Sequence, residues 1–281
     1  MQLFIFLLWL FTGFTAADPP NIFLSTDHGD SWQPFADGLP EGAAAGAMIE
    51  HEGRLLLGTD AHGFYVRPAG SEGWEARNQG LPERIDINSV AAKGDFIVIG
   101  TFHGRIYTSR NGGKNWQRFV FSFMGGSVRA LHFHGDILIA GTDNGIYRSF
   151  DYGTTWRREG DLIQVNDLAA YDGALYAARR DGITVSHDDG ASWSIVYPEQ
   201  TVSRLLLTKD RLYALEMGGR VLRSKDGRFW ERPVMAIPGA ARRNLPAALW
   251  GGFKPQSPVE MPVRSITETS LGWVMGVAGG C

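Results

Sequence analysis

The chain is written in short apolar runs separated by turn residues, in a frame that recurs about every forty residues. Residues 128–158 give the frame most clearly. Val128-Arg129-Ala130-Leu131-His132-Phe133 reads as a short strand, and His134-Gly135-Asp136 breaks it. Ile137-Leu138-Ile139-Ala140-Gly141-Thr142 reads as a second strand and Asp143-Asn144-Gly145 as a second turn. Ile146-Tyr147-Arg148-Ser149 is a third strand, and Trp156-Arg157-Arg158 opens a fourth. The same frame fits residues 87–118, 165–195 and 202–232. Each unit therefore predicts four short antiparallel strands, which is the content of one propeller blade.

The turn between the third and fourth strands repeats as a motif. Ser149-Phe150-Asp151-Tyr152-Gly153-Thr154-Thr155-Trp156 has the form Ser-x-Asp-x-Gly-x-Thr-Trp. Asp27 with Trp32, and Asp188 with Trp193, stand in copies of the same form. Asn111 takes the Asp place in the copy that ends at Trp116, and the copy with Asp226 and Trp230 is one residue short. Residues 67–74 keep the length and the closing Trp74 but have lost the Ser and the Asp. An Asp or Asn side chain accepts hydrogen bonds from backbone N–H groups ahead of it, and Gly supplies the positive φ of a tight hairpin. The Trp buries a large apolar face and needs one partner for its indole N–H. Each copy thus reads as a scaffold corner.

These motifs resemble the Asp-box, or BNR repeat, of sialidases, sortilin-type receptors, some endoglucanases and photosystem II assembly factors. The resemblance covers nearly the whole chain after its first residues. It implies an all-β β-propeller, and the six copies at a period near forty residues set the count at six four-stranded antiparallel blades.

The two ends predict how the ring closes. Asn21-Ile22-Phe23-Leu24-Ser25 matches a third strand, Val263-Arg264-Ser265-Ile266 matches a first, and residues 272–280 match a second with its turn. The N-terminal outer strands are therefore expected to pair with C-terminal inner strands, leaving no free sheet edge.

Residues 1–17 form an apolar run ending in small residues, too short for a membrane span. They read as a signal peptide, with a retained buried strand as the alternative. Residues 18–281 then form one propeller domain in a secreted or periplasmic protein. No second long apolar stretch follows, so no integral membrane segment is expected once the signal is removed. The net charge of -3 gives no reason to expect nucleic acid. The single cysteine, Cys281, excludes an intrachain disulfide, so blade packing must carry stability. Residues 234–262 break the frame with a long inter-blade loop holding Arg242, Arg243 and Trp250. It reads either as a binding loop or as a degenerate linker.

Two kinds of loop share the face opposite the motif hairpins. The loops between second and third strands offer Asp60, His62, His103, Arg105, Asp143, Asn144, Arg179, Arg180, Asp181 and Arg220. The inter-blade loops offer Asn88, Arg129, Asn166, Asp167, Tyr197, Glu199, Arg204 and Arg264. Arginine is the commonest member, and its planar fork suits carboxylates. The candidate binding set is Arg129, Arg204, Arg264, Arg179, Arg180, His103, Asp60 and Trp250; each also reads as an ordinary solvated loop residue. No catalytic residue, metal site or cofactor is assigned.

Two functions follow. A non-catalytic binding propeller would engage a protein or peptide partner through one face, with carbohydrate as the other ligand class. A sialidase-like hydrolase, by resemblance, would set three arginines on a substrate carboxylate beside a Tyr/Glu pair and an Asp; Arg129, Arg204, Arg264, Tyr197, Glu199 and Asp60 are the residues available. That family's Arg-Ile-Pro motif is absent, and Arg204 stands one position out of register with Arg129 and Arg264.

Overall fold

A computed structural model describes residues 21–27, 31–119, 126–208, 211–217, 220–231 and 263–277, without the side chains of 263–266 and 277. The expected signal peptide, Trp250 with the rest of the 234–262 loop, and Cys281 lie outside the described residues. The described residues form six antiparallel sheets and no helix.

Blade 1 runs β3 (Ala44–His51), β4 (Arg54–Asp60), β5 (Phe64–Arg67), β6 (Glu75–Ala76). Blade 2 runs β7 (Ile87–Lys93), β8 (Phe96–Thr101), β9 (Ile106–Ser109), β10 (Gln117–Phe119). Blade 3 runs β11 (Val128–His134), β12 (Ile137–Thr142), β13 (Gly145–Ser149), β14 (Arg157–Glu159). Blade 4 runs β15 (Val165–Tyr171), β16 (Ala174–Arg179), β17 (Gly182–Ser186), β18 (Ser194–Tyr197). Blade 5 has β19 (Val202–Leu207), β20 (Leu212–Glu216) and β21 (Val221–Ser224), with a single Arg223–Glu231 bridge where the fourth strand stands elsewhere.

The closing blade is built from both ends of the chain. Its order is β2 (Gln33–Pro34), β1 (Ile22–Ser25), β23 (Gly272–Val277), β22 (Val263–Thr269). The seam pairs Ile22 with Gly276 and Ser25 with Trp273, as the sequence predicted. β22 lies against β3 on one side and β19 on the other, so the ring is complete. Across that joint the Thr267 hydroxyl donates to the Met48 carbonyl (3.0 Å), and the Ser270 N–H to Glu50 (2.7 Å).

The core lies between blades rather than within them. Second strands are its most buried parts: every residue of β8 and β16 is buried. Leu56, Phe64, Ile87, Ile97, Ile99 and Trp116 form one inter-blade cluster. Every inner strand also carries a β-bulge near its start, where the register shifts by one residue. The residues so extruded are Gly46, Asn88, Arg129, Asn166, Ser203 and Arg264. A bulge bends its strand and re-aims one side chain, and here it does so at the rim of the ring.

Candidate functional site

The motif hairpins fix one face. In residues 149–156 the Ser149 hydroxyl donates to Asp151 Oδ1 (2.8 Å), as does the Thr155 N–H (2.7 Å). The Thr155 hydroxyl donates to Oδ2 (2.6 Å), and the Gly153 N–H to the Ser149 hydroxyl (2.7 Å). Asp188 repeats all of this with Ser186, Ser192 and Gly190. Asp27 holds Ser25 and Ser31 in the same way, and Asn111 keeps the bonds from Ser109 and the Asn115 N–H. Asp226 collects the N–H groups of Arg228 and Phe229 instead. Donors from Ser31 and Ser192 hold the Asp27 and Asp188 carboxyls down at about 2. Each carboxylate is spent on its own turn, which makes it a scaffold element.

One detail of these turns was not anticipated. Tyr152 and Asp189, the residues before Gly153 and Gly190, also adopt positive φ (59° and 57°). A hairpin turn of the I′ kind needs two successive left-handed residues. A depression beside one of these hairpins is lined by His187, Asp188, Ser192 and Trp193.

The opposite face carries the loops, and three of its candidate arginines, Arg129, Arg179 and Arg204, are already partnered. Arg129, extruded by its bulge, pairs with Asp143 of the loop after β12. Asp143 also accepts the Ser127 N–H (2.8 Å). Arg179, with only 5% of its side chain exposed, donates to Asp181 (2.9 and 3.0 Å) and Asp161 (2.9 Å). Burial works to lower the Arg179 pKa, but the bonds to these two carboxylates outweigh it and raise the value. Asp161 comes from the loop between blades 3 and 4, so this triad ties an inter-blade loop to a blade.

Arg204 stands beyond the bulge, not on it. Ser203 is the equivalent of Arg129, and Arg204 is paired across to Leu215. Its guanidinium lies on the carbonyls of Asn166 and Ser203 (3.3 and 3.4 Å). It faces Asp167, whose carboxyl burial pushes up while Arg204 and the N–H groups of Leu205 and Leu168 pull it down. Arg264 occupies the bulge of β22. Arg180 is exposed, and its backbone is clamped: its N–H donates to the Gln164 carbonyl (3.0 Å), and its carbonyl accepts the Thr201 hydroxyl (2.7 Å). His103 is exposed, its ring edge-on to Phe102 at 5.5 Å. Asp60 ends β4, where its carbonyl contacts His62 Nδ1 (2.9 Å).

Tyr197 and Glu199 do approach each other (3.3 Å), but the stronger phenol bond is to Glu216 (2.5 Å). Tyr197 and Glu216 are both buried, at 7% and 2% exposure. Glu216 is a residue the sequence reading passed over. A signal for it exists in the repeat: its equivalents at the end of the second strand are Thr59, Thr101 and Thr142 in blades 1 to 3. Those threonines use their hydroxyls within the adjoining loop, whereas blades 4 and 5 put the charged Arg179 and Glu216 there. Among the described residues no group of three His, Cys, Asp or Glu side chains is placed to hold a metal ion.

The fold and this loop face define an all-β, six-bladed propeller. No protein-family model matches the chain, and no curated protein matches it significantly. Solved structures do. The extracellular domain of BT4673, a one component system of B. thetaiotaomicron, superposes with a TM-score of 0.63 at 16% identity, over 92% of this chain and 34% of that one. A GH74 xyloglucanase from Xanthomonas campestris gives 0.56 at 19% identity, over 74% of this chain and 40% of that one. The structure of YCF48 bound to D1 peptide gives 0.47 at 17% identity, too remote to bear on function. This chain spans well under half the length of the first two, and at such identities the likeness extends to the fold alone.

Proposed function

We propose that this protein is a non-catalytic, extracytoplasmic binding propeller whose loop face engages a protein or peptide partner, and that its turn motifs are Asp-boxes. The observation that carries this reading is the pairing of three loop-face arginines, Arg129, Arg179 and Arg204. Arg129 and Arg179 are neutralised by carboxylates of the loops around them, and Arg204 is turned toward Asp167. The sialoside clamp expected of Arg129, Arg204 and Arg264 needs those guanidinia free to take a substrate carboxylate, and Arg129 and Arg204 are engaged within the protein. The same face displays the apolar side chains of Phe102, Leu162 and Met217, as a partner-binding surface does.

The test selects peptides from a display library on the intact protein. Selection is then repeated on a loop-face variant, Phe102→Ser with Met217→Ser, and on a hairpin-face variant, Phe150→Ser. Binders lost with the first variant and kept with the second are the expected result. A second reading, glycoside hydrolysis, draws on the Tyr197–Glu216 hydrogen bond. Turnover of an aryl sialoside that Tyr197→Phe abolishes would establish it in place of the first.

A further inference from the structure

The loop face is not uniform around the ring. From the joint between blades 3 and 4 to blade 5, hydrogen bonds onto backbone carbonyls join its loops into one continuous strip. Asp161 and Leu162 begin it, next to Gln164, whose carbonyl accepts the Arg180 N–H (3.0 Å). The Arg180 carbonyl accepts the Thr201 hydroxyl (2.7 Å), and the Thr201 carbonyl accepts the Met217 N–H (2.9 Å). Arg220 follows in the same loop, its carbonyl accepting the Glu216 N–H (2.8 Å).

Two side chains on this strip stand far out of the surface: Leu162 is 61% exposed and Met217 is 77% exposed. Methionine is adaptable and recurs at surfaces that bind varied apolar groups. The charges divide unequally. Asp161 and Asp181 are taken by the buried Arg179, and Glu199 lies against the Tyr197 phenol. Arg180 and Arg220 are exposed, and neither forms an ion pair among the described residues. The strip therefore offers two uncommitted guanidinia beside two apolar knobs, on backbone fixed by cross-loop hydrogen bonds.

We propose that this strip over blades 4 and 5 is the docking site for an extended peptide that carries a carboxylate side chain between apolar residues. The carboxylate takes the forked donors of Arg180 or Arg220, and its apolar neighbours cover Leu162 and Met217. Backbone fixed before binding lowers the ordering cost of association. The proposal rests on the binding reading above and narrows it to one arc of the ring and one ligand chemistry.

The test uses a display library of random dodecapeptides and the intact protein. Enriched peptides are synthesised with a fluorescent label, and their affinities are read by polarisation. Peptides with Asp or Glu between apolar residues are expected. Met217→Ser should weaken them by about tenfold, the scale of one buried apolar side chain. Arg180→Glu with Arg220→Glu should abolish binding, and exchanging the peptide's acidic residue for Lys should restore it, which a merely structural role would not allow. Loop-face binders indifferent to both arginine changes, or enriched without acidic residues, would overturn this proposal and leave the broader reading standing. Binders only to the hairpin face would remove both.

Discussion

Two halves of this ring solve the same problem, joining blade to blade, with different chemistry. At the joints from the closing blade to blade 1, and from blade 1 to blade 2, the later blade's tryptophan reaches back. The Trp74 N–H donates to the Asp37 carbonyl (2.7 Å) and its indole to the Phe35 carbonyl (2.9 Å). Trp116 does the same with Gln79 (2.8 Å) and Arg77 (2.7 Å). Each joint contains Gly-Leu-Pro, at 38–40 and 80–82, and each Gly faces a Trp carbonyl so closely that a Cβ would sit 2.3 Å from it. In blades 3 to 5 the tryptophan folds onto its own hairpin: Trp156, Trp193 and Trp230 donate to Gly153, Gly190 and Gly227. Polar side chains tie those blades, as Arg77, donating to the Gly112 carbonyl (2.6 Å), also does between blades 1 and 2. The buried Arg148–Glu159 pair (2.8 Å) also reaches the Asp189 carbonyl (3.3 Å), and Tyr171 donates to the Lys225 carbonyl (2.8 Å). One repeat motif therefore supports joints with a tryptophan locked onto the preceding blade's backbone and joints without that lock.

The sharpest way to break this comparison is at glycine. Gly80 (φ 92°) has no room for a side chain, whereas Gly160 (φ 69°) has nothing within 4 Å of a Cβ. Gly80→Ala should cost about 4 kcal/mol, from backbone strain and collision, and Gly160→Ala about 1 kcal/mol. Equal losses in urea unfolding would mean that the close approach does not hold the joint. Next in size is the polar joint. Arg148→Met leaves Glu159 buried with only the exposed Arg157 nearby (3.3 Å) and should cost about 3 kcal/mol. Adding Glu159→Leu should recover much of that loss, and a double variant no better than the single one would argue against a charge-driven penalty.

Tryptophan itself gives a smaller contrast. Trp116→Phe strips a donor from a carbonyl of the preceding blade and should cost about 2 kcal/mol, against about 1 kcal/mol for Trp193→Phe, whose indole serves its own turn. Thermal unfolding of the pair under one condition decides it.

Acid should separate the halves as well. Burial, with the neighbouring His134, pushes His132 in blade 3 down to about 4 from the ordinary 6.5. A histidine depressed in the folded state stabilises it above the unfolded pKa, and that contribution is lost as pH falls through the folded value. Blade 3 should therefore lose about 3 kcal/mol between roughly pH 6.5 and 4. The depressed carboxyls of Asp151, Asp188 and Asp226 add a further, smaller loss as pH falls from about 4 toward 2. Blades 1 and 2 have no Asp at that place, since Asn111 and the degenerate 67–74 copy stand there. Hydrogen exchange at pH 4 should show blade 3 opening before blades 1 and 2, and His132→Gln should remove the upper step.

The strand frame and the ring closure were legible because both rest on local pattern: alternation along a strand, and a turn whose Asp, Gly and Trp stand at fixed offsets. The register of Arg204 was legible for the same reason, since counting from Val202 shows it one place beyond Arg129 counted from Val128. The pairings of the loop face were not. Arg129 meets Asp143 only because a bulge turns it toward the neighbouring loop, and Arg179 meets Asp161 only because two loops converge. Residue type alone marked these arginines as ligands for a partner, and their real partners are fourteen and eighteen residues away. The Gly-Leu-Pro pairs and the Thr-to-charge change at Arg179 and Glu216 were readable in the repeat, given an alignment of unit against unit.

The sequence by itself determined the blade: its four-strand frame, its turn chemistry and the seam that shares one sheet between the two ends of the chain. Those features depend on contacts within about forty residues or on matching one unit to another. Only the tertiary structure decided which charges are spent and which are free. That depends on how loops from adjacent blades meet at the rim, and a guanidinium with a carboxylate at 2.9 Å reads in sequence the same as one with none.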